Sequence, residues 1–154
     1  MPIIKAIDTP VVRIGTIDSV IINCYRSTPT IESLDQVQQV QTDLLTKFPK
    51  VATMAIAGAK SSLLRIDEKV RTRSIEMSKI FEGRVRGAAI VIATKGLSAV
   101  MARSFMSGYL LLSKQAWPMQ TFSSIDAAAV WLRGLPGNDA RIDLSEIEAF
   151  ERGE

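Results

Sequence analysis

The densest run of chemically able side chains is Gly58-Ala59-Lys60-Ser61-Ser62: a glycine, an amine and two hydroxyls in succession. Glycine followed by lysine and serine closes a phosphate-binding loop, in which backbone amides wrap the phosphates and the lysine neutralises them. The complete motif needs a glycine six residues before the lysine and another directly before it. Met54 and Ala59 stand at those positions, so nucleotide hydrolysis is not expected. The run can still act as a switch. A phosphate on Ser61 or Ser62 would add nearly two negative charges beside Lys60 and Arg65, close to a helix start, where free backbone amides favour an anion. The plainer use of both hydroxyls is to satisfy backbone groups of a loop.

Elsewhere the reactive inventory is thin. The 154 residues contain no histidine, which removes the Ser-His-Asp and Cys-His nucleophile systems and the commonest metal ligand. Cys24 is the single cysteine, so neither a disulfide framework nor a cysteine zinc site can form within the chain, and its position late in an apolar run makes it a small buried hydrophobe. Asp67, Glu68, Glu76 and Glu82 have basic residues at helical spacing and read as surface pairs more readily than as an acid/base couple. An enzyme would have to work with Pro2, as an N-terminal amine, with Lys60, or with one of these acids. No catalytic residue, metal ligand or cofactor is assigned, and the chain is expected not to be an enzyme.

The elements that must position these residues follow from the hydropathy pattern. Ala88-Ala89-Ile90-Val91-Ile92-Ala93 is short, continuous and rich in β-branched residues, which predicts a strand buried on both faces in the middle of an α/β sheet. Such a strand needs helices above and below it. Val11–Ile17 and Ser19–Arg26 are β-rich runs joined at Asp18-Ser19 and predict a hairpin; Met1–Thr9 reads as a leader of mixed character. Ile31, Leu34, Val37, Leu44 and Phe48 recur at helical spacing, with either Thr30 and Ser33, or Thr28 before Pro29, placed to cap and Pro49 to stop. Val51–Ala57 is a second buried strand. Asp67 opens a helix that runs to Phe81, and Gly83 suits a left-handed end. An unusually apolar helix is expected over about Gly96 to Ser113, whose Met106, Leu110 and Leu111 could form a patch that seeks a partner. Trp117–Phe122 is a short strand. Ser123 and Asp126 make a capping box for a helix to Arg133, Leu135–Asn138 is a linker, and the tail over 139–154 is either disordered or an acidic amphipathic helix over Ala140–Phe150.

Composition sets the frame. A hydrophobic fraction of 47% with 23% charged residues is that of an ordinary globular chain of one domain. No apolar run approaches the ~18 residues of a membrane span, and the first ten residues lack the pattern of a secretory signal; the expected location is the cytoplasm. The net charge of +3 hides an asymmetry: residues 139–154 carry six acids and two arginines, leaving +7 on the rest. A basic body can take an acidic partner, or the tail can fold back on it or dock on a second copy to build a homodimer. The stretch from Lys60 to Arg86 concentrates the basic residues, among them Arg65, Lys69, Arg71 and Arg73, but Phe81 is its only aromatic and acids are interleaved; the plainest reading is a solvated helix face, an acidic protein partner comes next and nucleic acid third. The expected interface is Lys60, Arg65, Lys69, Arg71, Arg73, Met106 and Leu110, facing an acidic protein.

The order β-β-α-β-α-β-α-β-α, with the closing stretch Thr121-Phe122-Ser123-Ser124-Ile125-Asp126-Ala127-Ala128-Ala129-Val130-Trp131-Leu132, resembles the STAS domain, and within it the SpoIIAA-like anti-sigma factor antagonists. The resemblance is one of pattern over roughly residues 10–133. It implies a mixed sheet with an opening hairpin and helices packed against it, a domain over residues 1–135, and a linker with an acidic tail over 136–154. It also implies a regulatory, protein-binding module of a bacterial-type signalling system that is switched by phosphorylation at the start of the second helix. Ser61 and Ser62 lie at about that place, without the flanking aspartate and following glycine of the family's Asp-Ser-x-Gly pattern. A different class of function is a small-molecule or lipid-binding domain, with a pocket between the apolar helix over 97–112 and the sheet.

Overall fold

The structure is a computed structural model and describes residues 3–58, 66–92, 100, 103, 117–137 and 142–153. Six strands form one mixed sheet: β1 (Ile4–Asp8), β2 (Val12–Ile17), β3 (Val20–Tyr25), β4 (Val51–Ala57), β5 (Val85–Ile92) and β6 (Met119–Phe122). They lie in sequence order, β1-β2-β3-β4-β5-β6. The first three are an antiparallel meander; β3 to β6 run parallel. The expected hairpin is β2–β3. Its registered pair Ile17↔Val20 leaves only Asp18 and Ser19 in the turn, and Asp18 takes the left-handed conformation, φ 49°, which a short polar side chain tolerates and which the twist of a two-residue turn requires.

β1 was not anticipated: residues 4–8 form a strand where a leader of mixed character is expected. The reason is that β1 is an edge strand. Ile4 is 67% exposed and four of its five residues face solvent, so no alternation marks it in the sequence. Among the described residues the order therefore begins β-β-β rather than β-β.

Helices α1 (Ile31–Leu45) and α2 (Glu68–Ile80) cover one face. In α1 the Thr30 side chain accepts from the Ser33 amide and Ser33 Oγ accepts from the Thr30 amide, the reciprocal cap that the spacing predicts. Asp67 caps α2 by accepting from the Lys69 amide at 2.8 Å. Val12, Ile14 and Ile21 of the sheet meet Leu34, Val37, Val40 and Leu44 of α1 and Val70, Met77 and Phe81 at the far end of α2. Both helices are crossovers between neighbouring parallel strands in a sheet that grows in one direction, so right-handed connection places them on the same face.

Helices α3 (Ile125–Arg133) and α4 (Leu144–Glu151) cover the other face. Ser124, not Ser123, is the cap of α3 and accepts from the Ala127 amide. On this side Ile22, Cys24, Met54, Ile56, Ala89 and Val91 pack against Ala128, Ala129, Leu132, Ile142, Ile147 and Phe150. The segment expected to be a linker and acidic tail thus contributes to the core; Ile147 has no exposed surface. It docks through apolar side chains and through main-chain carbonyls held by arginines. Arg13 donates to the Phe150 carbonyl at 2.7 Å, and Arg133 donates to that of Ile142. Phe150 lies so close over β2 that a Cβ at Gly15 would stand 2.8 Å from its ring. The apolar helix expected over Gly96–Ser113 lies outside the described residues, apart from positions 100 and 103.

Candidate functional site

β5 is the strand that the most apolar run predicts, and its two faces differ. Ala89 and Val91 are sealed beneath α3, whereas Ile90, on the other face, is half-buried. Ile90 is not fully covered because it lines a cavity of about 280 Å³ between the sheet and the α1–α2 layer. That volume approaches the lower end of ordinary small-molecule sites. The floor is Asn23, Tyr25, Thr53, Ala55, Ala88 and Ile90, from three adjacent strands; Leu34, Val37 and Gln41 come from α1, Val70, Ser74 and Met77 from α2, and Trp117 and Met119 from the entry to β6. Small residues cause the space. Ala55 and Ala88 sit where larger side chains would reach the helices, and Ser74 stands on the α2 face between Val70 and Met77.

Two polar atoms in the lining have no protein partner. Asn23 is 5% exposed and its Oδ1 accepts no hydrogen bond; the Trp117 indole Nε1 donates none. Asn23 is placed by strand alternation: Ile21, Asn23 and Tyr25 point to this face, and its registered neighbours on either side are Ile14 and Ala55. Neither can bond an amide. A buried, unsatisfied polar group costs about 1–3 kcal/mol, so an asparagine at this point of the sheet works against stability unless something outside the fold pairs with its oxygen. Periodicity counted these positions as strand interior and did not single out Asn23. The available signal was one amide among the β-branched residues of Ser19–Arg26.

Three of the basic residues read as an interface are described, and they divide. Lys69 and Arg71 are exposed on α2, Arg71 at the rim of the cavity. Arg73 is engaged within the fold: it bonds Asp35 at 3.2 Å and the Gln38 side chain, tying α2 to α1. Arg84 and Arg86 are likewise engaged by the fold at its surface, donating to the carbonyls of Leu45 and Pro49 and of Lys50. A cation over the last carbonyls of α1 also complements the helix dipole. The basic stretch in part clamps α1 and the start of β4 to α2 and β5, which charge counting does not reveal. Lys60, Ser61, Ser62, Arg65, Met106, Leu110 and Pro2 lie outside the described residues. No group of three or more His, Cys, Asp or Glu side chains is placed to hold a metal among the described residues, and no helix among them is long and apolar enough to cross a membrane.

Cys24 is on the opposite face, 6% exposed. Burial pushes its thiol up to about 12, with the Glu151 carboxylate adding to the shift. A thiol-disulfide reagent at pH 8 is expected to modify Cys24 only as fast as the protein opens, followed by absorbance; a rapid full-amplitude reaction of the native protein would contradict this. The linkage has a definite sign. The unfolded thiol releases its proton near its ordinary value of 9.0 and the native one does not, so stability is intact below that value and falls as pH rises from about 9 toward 12.

No protein-family model, curated protein or solved structure matches the chain. The class stands on architecture: a mixed α/β protein with helices on both faces of one sheet and a part-apolar cavity under one helical layer.

Proposed function

We propose that the chain is a non-enzymatic, STAS-like regulatory module that works in the cytoplasm by binding an acidic protein partner, as a monomer or a homodimer. What supports this reading is the sheet: a meander running into parallel strands in sequence order, with the second crossover helix presenting Lys69 and Arg71 to solvent. The mixed sheet and the position of α2 are what the STAS resemblance implies, and the regulatory serine of that reading would be Ser61 or Ser62. The test is co-purification from the source cell with the full chain and with a Lys69→Glu, Arg71→Glu variant of unchanged melting temperature. Loss of a specific partner in the variant, together with weaker capture by the unaltered chain as salt is raised, is the expected result. A partner retained equally by both removes the α2 surface from the proposal.

The cavity favours a second reading, a small-molecule or lipid-binding domain. Its pocket is formed by the sheet with α1 and α2, where the sequence suggests the helix over 97–112 as the covering element. The two readings are compatible, since a ligand under α2 can bias how α2 meets a partner.

A further inference from the structure

We infer that the cavity under α1 and α2 takes a neutral, mostly apolar small molecule whose hydroxyl donates a hydrogen bond to Asn23. This rests on the second reading above, that the cavity is a ligand site, and adds the chemistry of the ligand. Three observations converge. The floor and walls are chiefly aliphatic and aromatic carbon, so the body of the ligand is apolar. Asn23, 95% buried, lines that space and carries a side-chain carbonyl oxygen with no donor, and its registered neighbours in the sheet, Ile14 and Ala55, offer it none. The Trp117 indole N–H, also without a partner, stands at the other side of the cavity, on the approach to β6. β3 and β6 are three strand spacings apart, roughly 14 Å between their backbones. The molecule is therefore elongated, with a donor at the β3 end and room for an acceptor at the Trp117 end.

Charge selects against an acid. Asn23 Oδ1 is an acceptor and repels a carboxylate, and the only cation at the cavity, Arg71 among the described residues, is exposed at the rim on α2. A site built for a carboxylate would place its cation inside, where it could be paired. A hydroxyl, by contrast, pays little for desolvation when it gains a buried acceptor, and a hydrocarbon would leave Asn23 unsatisfied as before.

The test uses three probes of one shape, 4-propylphenol, propylbenzene and 4-propylbenzoate, titrated calorimetrically into the full-length protein. The phenol is expected to bind at least tenfold more tightly than propylbenzene, and the benzoate weakest. The variant Asn23→Leu should lower phenol affinity at least tenfold, leave propylbenzene within a factor of three, and melt no lower than the parent without probe, because it removes a buried carbonyl oxygen that has no donor in the fold. Ala55→Leu, which fills the floor, should abolish binding of all three. Propylbenzene binding as tightly as the phenol would overturn the assignment to Asn23 while leaving the cavity a ligand site. A benzoate preference that Arg71→Gln removes would overturn it in favour of an acid. No binding by any probe would overturn the cavity reading itself.

Discussion

A chain ending at Gly137 is expected not to fold. That truncation removes Ile142, Ile147 and Phe150, which are respectively 5%, 0% and 4% exposed and lie in the core beneath the β2–β5 face. Full burial of a large aliphatic or aromatic side chain contributes about 1.5–3 kcal/mol. Three of them are comparable with the whole stability of a domain this size, about 5–15 kcal/mol. The loss also uncovers Ile22, Cys24 and Gly15 and takes the Phe150 carbonyl from Arg13. The truncated protein should bind a hydrophobic dye at 25 °C and show no cooperative thermal transition. A cooperative transition within about 5 °C of the full chain would show that α4 is dispensable. The practical consequence is that deleting the acidic end cannot report on partner binding; surface substitutions such as those on α2 can.

Arg13→Ala is expected to cost about 2–4 kcal/mol, a large effect for a residue in no catalytic role. Arg13 sits on β2, only 5% exposed, against α4. Its guanidinium donates to the Phe150 carbonyl at 2.7 Å and lies 4.4 Å from the centre of the same residue's ring. Its Nε is 3.8 Å from Asp8, whose carboxylate also bonds Arg26 at 2.7 Å. One side chain therefore fastens the edge strand β1 and the last helix to the middle of the sheet. A hydrogen bond from a charged group contributes about 1.5–3 kcal/mol, and a desolvated cation over a ring up to about 2; truncation also leaves a buried carbonyl without its donor. Arg13→Lys, which keeps the charge but loses the planar fork, should fall between the two. Denaturant midpoints at constant slope measure all three. A change below about 0.5 kcal/mol for Arg13→Ala would mean that α4 is held by its apolar side chains alone.

Much of the architecture was legible in order of residues. The 90–92 run is an interior strand, though it lies one place in from the β6 edge rather than in the middle of the sheet and Ile90 is only half-buried; the hairpin turns at Asp18-Ser19, Thr30 and Asp67 cap their helices, and Val51–Ala57 is a strand with the bounds that its composition suggests. Each of these depends on local chemistry: β-branched crowding, an oxygen three residues from a free amide, or apolar residues on a helical stripe. The functional surfaces were less legible. Arg73 reads as a free cation by charge and is tied to Asp35 and Gln38 on a helix 35 or more residues away. Asn23 reads as one more strand residue and proves to carry a buried carbonyl oxygen without a donor at the lining of a cavity.

By itself, the order of amino acids determined most of the described strands and helices, where most of them start and stop, and which of their faces are apolar, because those properties are settled within a few residues of chain. Only the tertiary structure decided that residues 4–8 pair as an edge strand, that the acidic end is part of the core, and that a cavity opens beside Ile90. Pairing partners, docking and empty volume are relations between elements distant in sequence, and a cavity is the space left where Ala55, Ala88 and Ser74 are too small to meet across it.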